Sequence, residues 1–229
     1  MELRRIRVWD LPTRLFHWLL LITVAGALIT INIKTSESMV WHGRFGHMTF
    51  GLIVFRIVWG VVGSTHARFW NFVPTPSRLL SYLRGTWHGL GHNPLGALSV
   101  FALLGLIGFQ AVTGLFSNDD IVFRGPLAAA VSSSTSNDLS TLHRQTEYYI
   151  YALIALHVAA VLFYAIFKKN DLIGPMITGS KKLADPNAEP ARGGGWIALI
   201  VALAITGFAM WFSNGSWIPA PPPPPDLGW

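Results

Sequence analysis

The sequence contains no cysteine, so disulfides, thiolate metal sites, iron–sulfur clusters and thioether-attached c-type haem are all excluded. Any metal chemistry has to run through nitrogen or oxygen donors. Charge is scarce as well: 12% of the 229 residues are charged, half of what a soluble domain carries, while 52% are hydrophobic. Water is therefore not the main solvent. No repeat of fixed period is present, and the 17 basic residues are not gathered into a patch with interleaved aromatics, so a nucleic-acid partner is excluded despite a formal charge of +6.

What is present is a set of long apolar runs. Five stretches, near 14–33, 44–63, 95–116, 147–167 and 196–213, each approach the roughly twenty residues needed to cross about 30 Å of hydrocarbon. The first run is too long for a signal-peptide core and no A-x-A site follows it, so it is read as a retained helix. "WDLPTR" marks its start, with Asp10 as cap and Pro12 in the first turn. The expected fold is an all-α membrane protein, a four-helix transmembrane bundle with a fifth C-terminal transmembrane helix, and no separate soluble domain.

Basic residues set the orientation. Arg4, Arg5, Arg7, Arg14, Arg68, Arg78, Arg84, Lys168, Lys169, Lys181, Lys182 and Arg192 fall on one side of the spans. Lys34, Arg44, Arg124 and Arg144 fall on the other, with Arg56 inside the second span. The positive-inside rule then places the N-terminus in the cytoplasm and, with five spans, the C-terminus outside, which for a bacterial inner membrane is the periplasm. Residues 64–94, rich in Trp, His and Pro, read as a cytoplasmic segment lying at the interface. Residues 117–142, with "SNDDIVFRGP" and "VSSSTSND", read as an outer loop. The expected organisation is a core over 1–180, a cytoplasmic Gly-rich linker over 181–195 in which "GGG" hinges the last helix, the extra helix 196–213, and an extended periplasmic tail over 214–229 ending in "PAPPPPPDLGW".

Polar side chains in a bilayer are costly and ask for partners. Five of the eight histidines lie in or at the ends of spans: His17, His42, His47, His143 and His157. His66, His88 and His92 fall in a loop, where solvation is the expected state. His143 and His157 are fourteen residues apart. In a helix that is about 40° short of four turns, so they share a face, and it is roughly 21 Å along the axis, too far for one ion and suited to two haems stacked across a membrane. Topology then pairs them. His17, near the inner start of the first helix, reaches only the inner iron with His157, and His42 or His47, at the outer start of the second, reaches only the outer iron with His143. Gly46 and Gly51 each follow one of these histidines by four residues, leaving room for a flat group in either case. Arg56, fourteen residues after His42 and on its face, favours His42 and offers a guanidinium to an inner-haem propionate. His47 is rotated about 140° away and is free to face a neighbouring helix. Gln110 reads as an interhelical hydrogen bond and Asn118–Asp120 as a solvated acidic stretch.

The motifs "RVWDLPTRLFHW", "WHGRFGHMTFGLIVFRIVWG" and "LHRQTEYYIYALIALHVAAVLFY" resemble, over roughly residues 7 to 180, the bacterial di-haem cytochrome b561 family and the related cytochrome b subunit of nickel–iron hydrogenases. The resemblance implies a four-helix bundle with two non-covalent haems b in bis-histidine ligation by His17, His42, His143 and His157. It further implies electron transfer between the quinone pool and a redox partner, either a periplasmic cytochrome c or a dehydrogenase or hydrogenase-type complex. The chain departs from the family in its fifth helix and tail and in His47, where an aromatic is common. With both axial positions filled, no oxygen site remains, so the expected role is an electron wire, either a quinone oxidoreductase in its own right or the membrane module of a larger complex with a periplasmic cytochrome c or a dehydrogenase. Expected partners are membrane lipids, quinone and that redox subunit, with a homodimer left open. Two other classes compete: a cofactor-free membrane anchor or assembly subunit, and a histidine-lined proton or metal transporter, against which stands the lack of acidic residues inside the spans.

Overall fold

The computed structural model describes residues 4–121, 123–184 and 188–219. In chain order these form strand β1 (Arg4–Arg7), helices α1 (Leu11–Ile33), α2 (Ser36–Val62), α3 (Phe69–Phe72), α4 (Pro76–Leu83), α5 (Pro94–Phe116), α6 (Ser133–Ile166) and α7 (Ile173–Thr178), strand β2 (Ser180–Leu183) and helix α8 (Trp196–Ser213). Five helices, α1, α2, α5, α6 and α8, are long and apolar enough to cross a membrane. They are the five apolar runs of the sequence, and large side chains such as Ile29, Leu156 and Ile197 point outward from them, as a hydrocarbon solvent requires.

The helix starts follow from capping. Asp10 accepts a hydrogen bond from the Thr13 amide at 2.7 Å and Pro12 occupies the first turn of α1. Two helices begin earlier than the apolar runs. Thr35 and Ser38 form a reciprocal capping box that starts α2 eight residues ahead of the expected 44. Ser132 caps α6, which runs through the Ser-rich stretch expected to be loop. At 34 residues α6 is about 51 Å long, so its first turns stand clear of the hydrocarbon. There Ser136 donates to the Phe116 carbonyl at 2.7 Å, and Ser140 accepts from the Asn118 amide at 2.9 Å. Hydropathy does not register such a polar extension, because its helicity rests on a cap and on bonds to the 116–118 backbone. The long helix is also not free of acid: Glu147, one turn beyond His143, accepts from the Tyr151 hydroxyl at 3.0 Å.

Helix α2 is central, packing against α1, α5 and α8, and α5 packs in turn on α6. The buried core joins Phe16, Phe55, Trp59 and Ala67 to Ala202 of α8, so the fifth helix is an integral wall of the bundle. Its entry is set by the glycines: Gly193 bridges Ser64, and at Gly194 (φ +65°) a Cβ would lie 2.7 Å from the Ser64 amide nitrogen. The start of the expected linker is ordered: β2 pairs antiparallel with β1, Arg4 opposite Leu183 and Arg7 opposite Ser180, tying both ends of the four-helix core together. The proline run at 220–229 lies outside the described residues.

Candidate functional site

His42 and His143 meet. His42, on the second turn of α2, and His143, on α6, have ring centroids 6.0 Å apart at an interplanar angle of 85°. Yet α2 and α6 are not closely packed against each other. The rings thus reach toward one another across a slot between backbones, and a separation of this size admits one metal ion at about 2 Å from an imidazole nitrogen on each side. Each ring is held by its other nitrogen. His42 Nδ1 donates to the Ala27 carbonyl at 2.9 Å and His143 Nδ1 to the Gln110 carbonyl at 2.9 Å, which leaves both Nε2 atoms as free bases. This is how ligating imidazoles are oriented and made more basic. Gln110 adds a second clamp, its side-chain amide donating to the His143 carbonyl at 3.0 Å and its oxygen accepting from Thr146.

The two glycines that follow the histidines of α2 separate their roles. A Cβ on Gly46 would meet nothing within 4 Å, whereas one on Gly51 would lie 2.5 Å from Met210 Sδ of α8. His47 shares the Gly51 face, and its Nε2 bonds Ser213 Oγ at 2.8 Å. One side of α2 is therefore closed by α8, and the other, carrying His42 and Gly46, borders open space where a flat group fits.

At the opposite end His17 of α1 lies within electrostatic reach of His157 of α6, again on helices that are not closely packed. His157 Nδ1 contacts Ser99 Oγ at 3.4 Å, while His17 Nδ1 is buried without a partner. Arg56 projects to this end too. It is 2% exposed, its guanidinium sits 4.5 Å above the Phe69 ring, and its Nη1 has no hydrogen-bond partner. The nearby Asp10 carboxylate is already committed to the Thr13 amide and, at 3.1 Å, to Trp59 Nε1.

Residues 64–94 correct an expectation. The segment folds over this end of the bundle, and of its three histidines only His88 is exposed, His66 and His92 being half-buried. His92 packs between Trp9 and Phe72, with centroids at 4.6 and 4.5 Å, and burial together with the Arg56 charge pushes its imidazole down to about 3. Burial also lowers His66, opposed by a hydrogen bond to the Glu189 backbone. The legible signal was the aromatic content of this stretch, since Phe69, Phe72 and Trp87 imply packing rather than solvation.

Among the described residues no three histidine or carboxylate side chains converge on one point. A metal held by either histidine pair must bring further donors, as the four nitrogens of a porphyrin do. A slot between helices, paired imidazoles with free Nε2 atoms and an unfilled face beside Gly46 thus define a multi-pass helical membrane protein fitted for a flat, metal-bearing cofactor. Residues 8–179 match the prokaryotic cytochrome b561 family, and the chain belongs to it. It is a membrane b-type cytochrome, with haem b as prosthetic group and electron transfer as its work. Curated relatives include proteins named probable Ni/Fe-hydrogenase B-type cytochrome subunit from Azotobacter chroococcum (25% identical, covering 80% of this chain and 91% of the relative), Bradyrhizobium diazoefficiens (27%, 79% and 87%) and Escherichia coli K12 (23%, 75% and 88%). No solved structure matches the chain significantly.

Proposed function

We propose that the protein holds two haems b, one between His17 and His157 at the inner end and one between His42 and His143 at the outer end, and carries electrons between these ends as the membrane subunit of a hydrogenase-type complex. The observation that carries the reading is the outer pair: two rings 6.0 Å apart across a slot, each with its Nδ1 spent on a helix carbonyl. The relatives' names support the hydrogenase-type partner, and quinone is the acceptor that a membrane electron carrier of this kind reaches through the lipid. Twelve basic residues gathered at one end support a cytoplasmic N-terminus.

Bound haem b supplies a one-electron iron couple. The chain's own residues do the rest. Ala27 and Gln110 fix the imidazoles and raise their basicity, so that both axial positions are filled by the protein. The apolar faces of α1, α2, α5 and α6 exclude water from the slot, and Arg56 places positive charge beside the inner site, where it offsets an acid group.

The test is a dithionite-reduced minus oxidised spectrum of detergent-purified protein with haem quantified as pyridine haemochrome. Two haems b per chain are expected, with His17→Leu and His157→Leu losing the same one and His42→Leu and His143→Leu losing the other. No haem in well-folded protein produced with ample haem supply would leave the anchor or the transporter.

A further inference from the structure

Among the buried polar atoms without a hydrogen-bond partner are three nitrogens at the inner end: Arg56 Nη1, His66 Nε2 and His92 Nδ1. They come from three places in the sequence, the last turns of α2, the segment after it and the residue before the Asn93 cap of α5, and the fold brings Arg56 and His66 within electrostatic reach of His92. His66 lies against the backbone of Gly91, where a Cβ would be 3.3 Å from His66 Cβ, so it neighbours His92. His92 and Arg56 flank a shared aromatic floor. The guanidinium lies over Phe69, Phe69 meets Phe72 at 5.9 Å, and Phe72 meets His92 at 4.5 Å. His17 and His157 are within electrostatic reach of His92. Asp10, whose oxygens bond the Thr13 amide and Trp59 Nε1, makes no hydrogen bond to Arg56 Nη1.

A buried guanidinium and two buried imidazole nitrogens lacking partners carry a desolvation penalty that one class of ligand removes: an oxyanion accepting several charge-assisted bonds. We propose that Arg56, His66 and His92 form a carboxylate cradle that holds the propionates of the inner haem. This rests on the two-haem reading and adds to it two histidines outside the ligand set. His92 donates through Nδ1. His66, whose ring is already bonded to the Glu189 backbone, meets the carboxyl through Nε2 with one proton shared between them. Both are positioning residues. They fix the porphyrin's rotation in its slot and, by drawing charge from the propionates, make the inner haem easier to reduce.

The experiment uses the full-length protein grown on 5-aminolevulinate labelled with ¹³C at its carboxyl carbon, so that the haem carboxylates are visible in redox-difference infrared spectra. Haem count and low-spin spectrum are recorded first; fewer than two haems in the unaltered protein sinks the two-haem reading, and the cradle with it. With two haems present, His66→Leu and His92→Leu are expected to move a labelled carboxylate band. They are also expected to shift the reduction equilibrium of one haem about tenfold toward the oxidised form, a drop of about 59 mV for a one-electron couple. His92→Gln, which keeps an N–H donor, restores both. If a leucine variant loses the inner haem, retention of that haem by His92→Gln supports the cradle and its loss in both variants overturns it. Unmoved bands in both leucine variants with two haems bound overturn the proposal. So does an unaltered protein whose inner haem potential responds to added inorganic phosphate, or to phosphatidylglycerol in place of phosphatidylcholine vesicles, because the nitrogens then serve a free anion or a lipid headgroup.

Discussion

Replacing the two histidines of α2 one at a time separates a ligand from a helix fastener. His47 Nε2 bonds Ser213 Oγ at 2.8 Å, and Ser213, 2% exposed, keeps a second bond to the Met210 carbonyl at 3.2 Å when His47 is removed. His47→Leu thus loses the Ser213 bond and the hydrogen bond His47 makes to the Met210 backbone, while Ser213 Oγ stays bonded to the Met210 carbonyl. The expected cost is about 0.5–1.5 kcal/mol for each bond, and for the Ser213 bond alone a shift of about 2- to 13-fold in the unfolding equilibrium. Interhelical bonds in membrane proteins average about 0.6 kcal/mol, which points to the lower end of that range. Both haems should remain and their spectra should be unchanged, while resistance to SDS unfolding falls slightly. A double-mutant cycle with Ser213→Ala isolates the pair. His42→Leu, in contrast, should remove the outer haem and leave the inner one. Loss of a haem in His47→Leu with two retained in His42→Leu would refute the assignment of faces on α2.

Gly46→Leu should be accepted by the haem-free protein, where the added Cβ meets nothing within 4 Å, yet should block outer-haem binding; equal haem content in both forms would show that no cofactor lies there. Gly114→Ala places a Cβ 2.9 Å from His143 Cε1, so it should displace that ring and alter the potential or occupancy of the outer haem alone, measured by optical redox titration. Arg56→Leu should lower the inner haem potential more than the outer, and equal shifts would place the guanidinium elsewhere. His92 gives a pH prediction for the haem-free protein. Its folded value, about 3, lies below the ordinary 6.5, so the stability it contributes is complete above pH 6.5 and is lost as pH falls toward 3. His92→Leu should flatten this acid limb in thermal unfolding followed by circular dichroism, and an unchanged limb would refute the burial of His92.

Much of the molecule was legible in the sequence, because a membrane imposes simple rules. Hydrocarbon thickness selects runs of about twenty apolar residues, so all five helices could be read off, the last with its bounds unchanged. Helical periodicity put His143 and His157 on one face of one continuous helix, and alternation of spans put the twelve basic residues at one end. What the sequence could not supply were features built by contact. Which glycine of α2 faces α8 and which faces open space depends on how α8 docks, and the last helix could as well have stood apart. The polar turns of α6 are helical because Ser136 and Ser140 bond the 116–118 backbone, which hydropathy cannot register. The strand pair of Arg4–Arg7 with Ser180–Leu183 joins segments some 175 residues apart. His66 and His92 were misread for the same reason. A loop histidine is ordinarily solvated, and only the folding of 64–94 over the bundle end sets Phe69 against Arg56 and Phe72 against His92 and buries both histidines in part. The sequence alone determined solvent, span number and the candidate ligands, through one-dimensional periodicity; the tertiary structure decided which faces meet, because that depends on long-range packing that no local spacing encodes.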